Sequence, residues 1–347
     1  VRIEAVADRN PERLDRARRL LGDGIRTYRD IDDLLERETP AFVDVATPPA
    51  VRAEIIGKAA VAGSHVLAEK PLAVSAQAMR AIAGAAARCG VAVMTVHNWH
   101  YAPALRLVRE AVEKGTVGNI RAIEFRTHRT QPAGGRDSWR LRADLAGGGI
   151  LTDHGWHALY LAQSLVQSRP ASVTARVATR RWSEGNVEDT AWARFVFGGG
   201  VRVSLDLTWA AERRETHVRV LGDRGSVEIA DGDVVERDTA GAVVGRRRAG
   251  GSSDDSYHAG WFPPVLDGFI AALEHPSLAL ENYREAAACR AALDAAYASA
   301  RAGGAVTEVD GHEFLSAGNA QEDSRWSHVR LQTSTAKSRR LDGKARR

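Results

Sequence analysis

The sequence HVLAEKPL, residues 65–72, joins a short apolar run to an acid, a lysine and a proline. The run predicts a buried strand over residues 65–68, and Pro71 ends it because proline has no backbone N–H to donate to a sheet. Because the residue before a proline avoids the helical region, Lys70 is predicted to be extended. A lysine at the C-terminal end of a parallel strand lies where open α/β sheets bind ligands. On this spacing alone, a solvated lysine at a strand end is the commoner arrangement.

Strands and helices alternate on both sides of this stretch. Predicted strands cover residues 1–7, 25–28, 41–46, 65–68 and 91–96, and predicted helices cover residues 11–21, 31–38, 50–62 and 76–89. This alternation is typical of βαβ units in a parallel sheet. Their right-handed crossovers predict a doubly wound, Rossmann-like domain, which we assign to residues 1–100.

The predicted domain lacks the Gly-rich turn with which dinucleotide-binding folds open. Only seven residues precede Asp8, and the chain begins with valine. The opening strand would lie between the strands that end at Asp8 and at Ala46, so its absence would leave a gap in the sheet and no pyrophosphate site. We therefore expect the natural polypeptide to be roughly 30 residues longer at its N-terminus, about one β-turn-α unit. A chain that never had this unit should bind the cofactor poorly.

The pattern changes after residue 100. Predicted helices cover residues 103–114, 150–166, 262–274 and 281–302, and a polar, Gly-rich loop covers residues 131–146. Predicted strands cover residues 120–130, 171–181, 188–198, 201–210, 214–221 and 225–230, with weaker ones at 233–238, 242–247 and 306–309. Consecutive strands joined by glycine turns are antiparallel. Residues 101–310 are therefore predicted to form an α+β domain with a largely antiparallel open sheet.

Composition narrows the class of protein. Apolar residues make up 44% of the chain and charged residues 27%, and no apolar stretch approaches the roughly 20 residues that span a bilayer. The net charge of +4 depends on residues 325–347, which carry eight Lys or Arg against one Asp, so the preceding part is mildly acidic. We predict a disordered basic tail over residues 311–347, and neither a nucleic-acid nor a membrane partner. Cys89 and Cys289 form no disulfide framework or zinc motif, which favours a cytoplasmic protein.

A second candidate for chemistry follows Gly147-Gly148-Gly149. Asp153 and His157 are spaced i, i+4, which places both side chains on one face of the predicted helix. Histidine is the natural acid/base group near neutral pH, and Asp153 is suited to orient it or to bind a substrate hydroxyl. Two such ligands without a third are a weak metal signal, so no metal site is predicted. By itself, a His–Asp pair on a helix is more often structural.

Together these segments resemble the glucose–fructose oxidoreductase / inositol dehydrogenase (Gfo/Idh/MocA) family. The matching segments are AVADRNPER (5–13), VDVATPPAVRAE (43–54), AGSHVLAEKPLA (62–73), HNWHYAP (97–103), GGGILTDHGWH (147–157), VEDTA (187–191) and LGDRGSVEI (221–229). The resemblance implies an NAD(P)-dependent dehydrogenase that oxidises a secondary alcohol of a sugar, inositol or related cyclitol. It also implies a homodimer or homotetramer formed through the C-terminal sheet.

The resemblance assigns roles to individual residues. Lys70 is implied as the catalytic lysine, with Asp153 and His157 as its partners from the second domain. Cofactor-binding residues are implied at Asp8, Arg9, Thr47, Pro48, Glu69 and Lys70. Substrate-binding residues are implied at Asn98, His100, Trp139, Arg140 and His154.

Charge at the first strand end bears on the cofactor. Asp8 lies where such folds hold the ribose of NAD, although an Asp there caps a helix about as often. Its carboxylate repels the 2′-phosphate of NADP, whereas the Arg9 guanidinium would bind it, so NAD is slightly favoured over NADP.

The implied chemistry fits the residue types. Alcohol oxidation removes the O–H proton as hydride leaves carbon; His157 can take that proton, and Lys70 can stabilise the developing alkoxide. The family often has His where this chain has Arg52, and Asp where it has Tyr160. Arg52 is thereby expected to alter the preference for cofactor or substrate charge. Two alternatives stay open: an NAD-dependent glycosidase that works by oxidation and elimination, and a non-catalytic sugar-binding or regulatory member.

Overall fold

A computed structural model describes residues 1–230, 232–249 and 258–310. The predicted tail over residues 311–347 lies outside the described residues. The helices are α1 (Pro11–Leu21), α2 (Ile31–Arg37), α3 (Arg52–Val61), α4 (Ala76–Cys89), α5 (Pro103–Glu113), α6 (Ala143–Ala146), α7 (Ile150–Val166), α8 (Phe262–Glu274) and α9 (Pro276–Arg301). The strands are β1 (Ala5–Ala7), β2 (Arg26–Tyr28), β3 (Phe42–Val45), β4 (His65–Ala68), β5 (Val93–Thr95), β6 (Ile120–His128), β7 (Pro170–Ala178), β8 (Thr190–Phe197), β9 (Arg202–Thr208), β10 (Glu215–Gly222), β11 (Gly225–Ala230), β12 (Asp233–Asp238), β13 (Val243–Arg248) and β14 (Thr307–Glu308).

The N-terminal part consists of parallel β-α units, as predicted. Side-chain caps begin its helices: Asn10 accepts from the Glu12 N–H before α1, and Ser75 accepts from the Ala78 N–H before α4. β3, β4 and β5 form one parallel sheet, and β1 pairs with β2 in another. Within the described residues, no pairing joins β1 to β3. The C-terminal ends of β3 and β4 therefore lie side by side, and they carry Thr47 and Lys70.

The C-terminal part contains a nine-stranded sheet of order β13-β12-β11-β10-β6-β9-β8-β7-β14. All its neighbouring strands are antiparallel except β6 and β9, which are parallel. This confirms the predicted α/β plus largely antiparallel fold class. Helices α7 and α9 cover one face of the sheet.

Most predicted elements differ from the structure by one to three residues at their ends, and three predictions differ more. The first strand covers Ala5–Ala7 and not all of residues 1–7. The last helix begins at Pro276, five residues before the predicted start, because proline is well suited to the first helical turn. The predicted loop 131–146 contains two short 3₁₀ turns and α6, whose end at Gly147 adopts positive φ.

Two features fix how the halves meet at the site. The Asn282 side chain on α9 accepts from the Thr95 N–H at 2.6 Å and donates to the Thr95 carbonyl, and Tyr283 donates to the Met79 carbonyl at 3.0 Å. The start of α7 is fixed by Gly149, where an added Cβ would lie 1.8 Å from the Glu188 carbonyl oxygen. Helix α9 therefore joins both halves, and the glycines allow α7 to begin against the sheet.

None of the helices within the described residues combines the length and apolarity needed to cross a bilayer.

Candidate active site

Lys70 and Asp153 meet across the two halves of the chain. The Lys70 ammonium lies 2.6 Å from Asp153 Oδ1 and also donates to the Asp153 backbone carbonyl at 2.9 Å. Both side chains are largely buried, with exposed fractions of 12% and 15%. Since β4 ends at Ala68 and α7 begins at Ile150, the contact joins a strand end of the first half to the first turn of a helix in the second. Local sequence patterns had placed each residue on its own element, and only the family resemblance implied that Asp153 is a partner of Lys70.

Basic side chains surround the Asp153 carboxylate. Its Oδ2 lies 3.7 Å from Arg140 Nε and 3.8 Å from His154 Nε2. Burial by itself raises the pKa of Asp153, but Lys70, His154 and Arg140 outweigh it and hold that pKa well below its usual value. Burial lowers the pKa of His154 to about 3, so His154 is neutral at neutral pH. The site therefore holds an ionised carboxylate beside a neutral imidazole.

Arg52 fixes the backbone on which Lys70 stands. This arginine is 2% exposed, and its guanidinium donates to the carbonyls of Thr47, Glu69 and Pro71. Burial lowers its pKa to about 10, which still leaves it charged at neutral pH. Because the guanidinium donates to these carbonyls, the contacts of Arg52 do not support the expectation that it alters the preference for cofactor or substrate charge. The sequence marked Arg52 as a departure from the family pattern. Its hydrogen-bond partners could not be read from the sequence, because they lie after two different strands, β3 and β4.

His157 lies in an aromatic enclosure next to the Lys70–Asp153 pair. Its ring is 5% exposed and stacks on Trp99 with ring centres 4.6 Å apart and planes 18° apart. Nδ1 of His157 lies 2.9 Å from the Tyr160 hydroxyl. Burial, with the Lys70 charge, holds the pKa of His157 well below its usual value. Trp99 was not among the predicted site residues, since no periodic pattern marks it.

His97, His100 and Glu285 are the group of the described residues whose ligand atoms approach one another closely enough for a metal ion. His97 Nδ1 lies 2.6 Å from Glu285 Oε2, while its Nε2 accepts from the Trp156 indole N–H at 3.1 Å. Accepting at Nε2 places the proton of a neutral His97 on Nδ1, where it is donated to Glu285. The cluster therefore reads as a hydrogen-bond network, in which a metal would have to displace that proton.

The implied cofactor residues lie at three strand ends, of which the end of β4 carries Glu69 and Lys70. Asp8 follows β1, accepts from the Asn10 N–H at 2.8 Å and lies 3.4 Å from Arg13; Arg9 beside it is exposed. Thr47 and Pro48 follow β3, and the buried Thr47 hydroxyl oxygen has no hydrogen-bond partner within the described residues. An unsatisfied hydroxyl next to Lys70 fits a bound group with polar atoms, such as a nicotinamide amide.

The implied substrate residues separate into two groups. Arg140 and His154 face Asp153, and Arg140 also lies over the Trp139 ring, 4.5 Å from its centre. The buried Nε of Arg140 and Nδ1 of His154 have no hydrogen-bond partner within the described part of the chain. His100 instead contacts Glu285 at 3.3 Å and Arg109 at 3.0 Å, and Asn98 begins the short 3₁₀ turn that carries Trp99. The structure thus brings the first group to the Lys70–Asp153 pair and engages His100 in a separate network.

Comparisons with known proteins identify a family for both halves of the chain. Residues 1–97 match the family described as "Oxidoreductase family, NAD-binding Rossmann fold", and residues 105–228 match the "GFO/IDH/MocA C-terminal domain". Levoglucosan dehydrogenase of Pseudarthrobacter phenanthrenivorans is 28% identical over 251 residues, which are 65% of this chain and 64% of that protein. The dTDP-3,4-didehydro-2,6-dideoxy-alpha-D-glucose 3-reductase of Streptomyces violaceoruber is 31% identical over 226 residues, again 65% and 64%. The chain thus spans less than two thirds of the length of these curated relatives.

A solved structure extends the likeness over most of the chain. GenD2 from gentamicin A biosynthesis, in complex with NAD, is 27% identical with a TM-score of 0.72, and the match covers 88% of each chain.

Proposed function

Because the chain belongs to the GFO/IDH/MocA oxidoreductase family, we propose that it is an NAD(P)-dependent dehydrogenase of a sugar, inositol or related cyclitol. In this proposal a hydride passes between the nicotinamide and a secondary alcohol carbon. The observation that carries it is the 2.6 Å contact between Lys70 and Asp153, which brings the two matched regions of the chain together at one buried, charged point.

The residues around this point suit alcohol oxidation. As hydride leaves carbon, the oxygen must lose a proton and its developing negative charge must be stabilised. Lys70 provides N–H groups and a positive charge, which Asp153 holds in place, and His157 is the second group at that oxygen. Arg140 and His154, which both lie next to Asp153, have unpartnered buried nitrogens, and these are suited to further hydroxyls of a polyol.

The nucleotide is proposed to lie along the ends of β1 and β3. When bound, the nicotinamide supplies the hydride-transfer chemistry. Asp8 would hold the adenine ribose, and Thr47, Pro48 and Glu69 would hold the nicotinamide end. The Asp8 carboxylate favours NAD over NADP, whereas the exposed Arg9 favours the 2′-phosphate of NADP, so both are tested.

A cofactor-reduction screen tests this function. The purified natural polypeptide, taken at its full length, is mixed with NAD⁺ or NADP⁺ and a panel of sugars, anhydro sugars and cyclitols, and reduced nicotinamide is followed by absorbance. We expect reduction with at least one compound, and a drop in kcat for Lys70→Ala of about 100-fold or more with cofactor affinity retained. Lys58→Ala, which removes an exposed lysine paired with Asp32, is the matched control.

Two results would contradict the proposal. One is the absence of binding of both nucleotides, measured by calorimetry. The other is cleavage of a glycoside with no net cofactor reduction, which would identify a glycosidase that works by oxidation and elimination.

We further propose that copies of the chain associate through the outer face of the nine-stranded sheet. Trp192 and Val196, which alternate with buried residues along β8, are each 37% exposed. Exposed apolar side chains on one sheet are typical of an interface between subunits. Light scattering should show a dimer or tetramer for the chain and a smaller species for Trp192→Lys.

The domain limits at residues 100 and 310 likewise stay our proposal.

A further inference from the structure

The Tyr160 hydroxyl bridges the site histidine and the backbone. Tyr160 is fully buried on α7, one turn after His157. Its oxygen lies 2.9 Å from His157 Nδ1 and 2.9 Å from the backbone nitrogen of Trp99. Both contacts have ordinary hydrogen-bond lengths.

The chemistry of these atoms decides the direction of each bond. A backbone N–H can only donate, so the Tyr160 oxygen accepts from Trp99. The phenol has a single proton, and a buried hydroxyl requires an acceptor for it. Within the described residues, His157 Nδ1 is the remaining partner of this hydroxyl, so the proton is donated there. A neutral imidazole that accepts at Nδ1 carries its own proton on Nε2.

We propose that Tyr160 is a positioning residue that fixes His157 as its Nε2–H tautomer, so that His157 offers the substrate oxygen a hydrogen-bond donor and not a base. The proposal rests on the dehydrogenase function proposed above. It changes the role that the sequence suggested for His157, which was to take the alcohol proton.

The surroundings keep both rings in these states. His157 stacks on Trp99, and Tyr160 stacks on His97 with ring centres 4.2 Å apart, so neither ring can turn freely. The charged and titratable groups that act on His157 are Lys70, His154, Asp153 and His97. Burial raises the pKa of Tyr160 well above its usual value, and burial lowers that of His157, so both groups stay neutral.

The consequence is a division of work between His157 and Lys70. In carbonyl reduction, the electron pair of the C=O bond moves to oxygen as hydride arrives at carbon, and oxygen then needs one proton. His157 cannot release its Nε2 proton without either forming an imidazolate or taking the proton of a buried tyrosine. The Lys70 ammonium therefore gives the proton and is left as an amine, while the His157 N–H stabilises the oxygen. Oxidation runs the same transfers in reverse.

Nitrogen-15 NMR of the histidine-labelled full chain tests this tautomer without any cofactor or substrate. The His157 signals are assigned by their loss in His157→Gln. We expect an unprotonated Nδ1 and a protonated Nε2 at neutral pH in the unmodified protein. In Tyr160→Phe, which keeps the ring and removes the donor, both shifts should move toward the averages of exchanging tautomers.

Tyr283→Phe is the matched control, because Tyr283 is a buried tyrosine whose hydroxyl donates to the Met79 carbonyl. It should leave the His157 shifts unchanged, and far-UV circular dichroism shows whether each variant folds. A protonated Nδ1 in the unmodified protein overturns the proposal, and so do unmoved shifts in Tyr160→Phe. Neither result depends on the cofactor-reduction screen, so failure of the proposed function and failure of this inference are separate outcomes.

A kinetic cycle provides a second readout. If Tyr160 acts through His157, Tyr160→Phe should change kcat/KM in the unmodified background and leave it within about twofold in the His157→Gln background. Equal effects in both backgrounds would show that Tyr160 acts by another route.

Discussion

The pairing of Lys70 with Asp153 gives the most direct energetic prediction. Lys70→Met removes the charge and keeps a side chain of similar length. Asp153 is then left buried, with Arg140 and His154 at 3.7 and 3.8 Å as its remaining charged or polar neighbours. With an effective dielectric constant of about 20 and charge centres about 4 Å apart, the lost Coulomb attraction is about 4 kcal/mol. Desolvation of the lysine opposes part of this, so we expect a loss of about 2–3 kcal/mol in the free energy of unfolding.

A double-mutant cycle measures the coupling. Unfolding in urea is followed for the unmodified chain, Lys70→Met, Asp153→Asn and the double variant, with fluorescence and circular dichroism compared as a test of two-state behaviour. The sum of the losses in unfolding free energy of the two single variants should exceed the loss of the double variant by about 2 kcal/mol. Lys58→Met, which breaks surface pairs with Asp32 and Glu54, should leave the free energy of unfolding nearly unchanged. A coupling energy indistinguishable from zero would refute the reasoning.

The same pair predicts a pH dependence. The pKa of Asp153 lies well below its usual value in the folded chain, so the folded state binds fewer protons than the unfolded state in acid. The stability from this group is therefore complete above about pH 5 and is lost as the pH falls toward the folded pKa. In Lys70→Met the pKa of Asp153 is lowered less, because the ammonium is gone. The unfolding free energy of this variant should therefore fall less steeply below about pH 5 than that of the unmodified chain. Parallel curves for the two proteins would contradict this.

Three further changes have expected outcomes. Arg52→Lys keeps a positive charge but cannot donate to all the backbone carbonyls that the guanidinium binds. We therefore expect kcat to fall about 10-fold or more in steady-state assays, with an unchanged circular dichroism spectrum. An unaltered kcat would contradict the proposed role of Arg52 in holding the backbone around Lys70. Gly149→Ala places a Cβ 1.8 Å from the Glu188 carbonyl and should cost about 3 kcal/mol or more in urea unfolding, whereas Gly57→Ala, with open space in α3, should cost nothing. Burial raises the pKa of Glu285, but contacts with His97 and His100 outweigh burial and lower that pKa to about 2. Glu285→Gln should therefore reduce the free energy of unfolding by about 1–3 kcal/mol at pH 7. This loss should shrink as the pH falls below about 4, because protonation of Glu285 removes the same stabilisation from the unmodified chain.

Much of the fold could be predicted because its signals are local. The alternation of β1 to β5 with α1 to α4 depends on periodicity, on caps such as Asn10 and Ser75, and on glycines at helix ends. The antiparallel pairings of β8 with β9 and of β10 with β11 follow from short glycine turns, whereas no local signal places β6 between β9 and β10. Errors were confined to ends, as at Pro276, and to the loop before α7, where single turns of helix have no periodic signal.

The site could be predicted only in part. HVLAEKPL, residues 65–72, determined a lysine at the end of a buried strand, and the i, i+4 spacing determined that Asp153 and His157 share one helix face. Periodicity and spacing could not place Lys70 against Asp153, and only the family resemblance implied that pairing, because the two are 83 residues apart and meet where α9 holds the two halves together.

The tertiary structure also decided the chemical state of each group. Arg52 became support for the lysine loop because the ends of β3 and β4 surround it, and Tyr160 gained the direction of its bond from a backbone N–H in another segment. Local sequence determines where a side chain points along its own element. Burial, charge and hydrogen-bond direction depend on what the rest of the chain packs around it, and these set whether His157 donates or accepts.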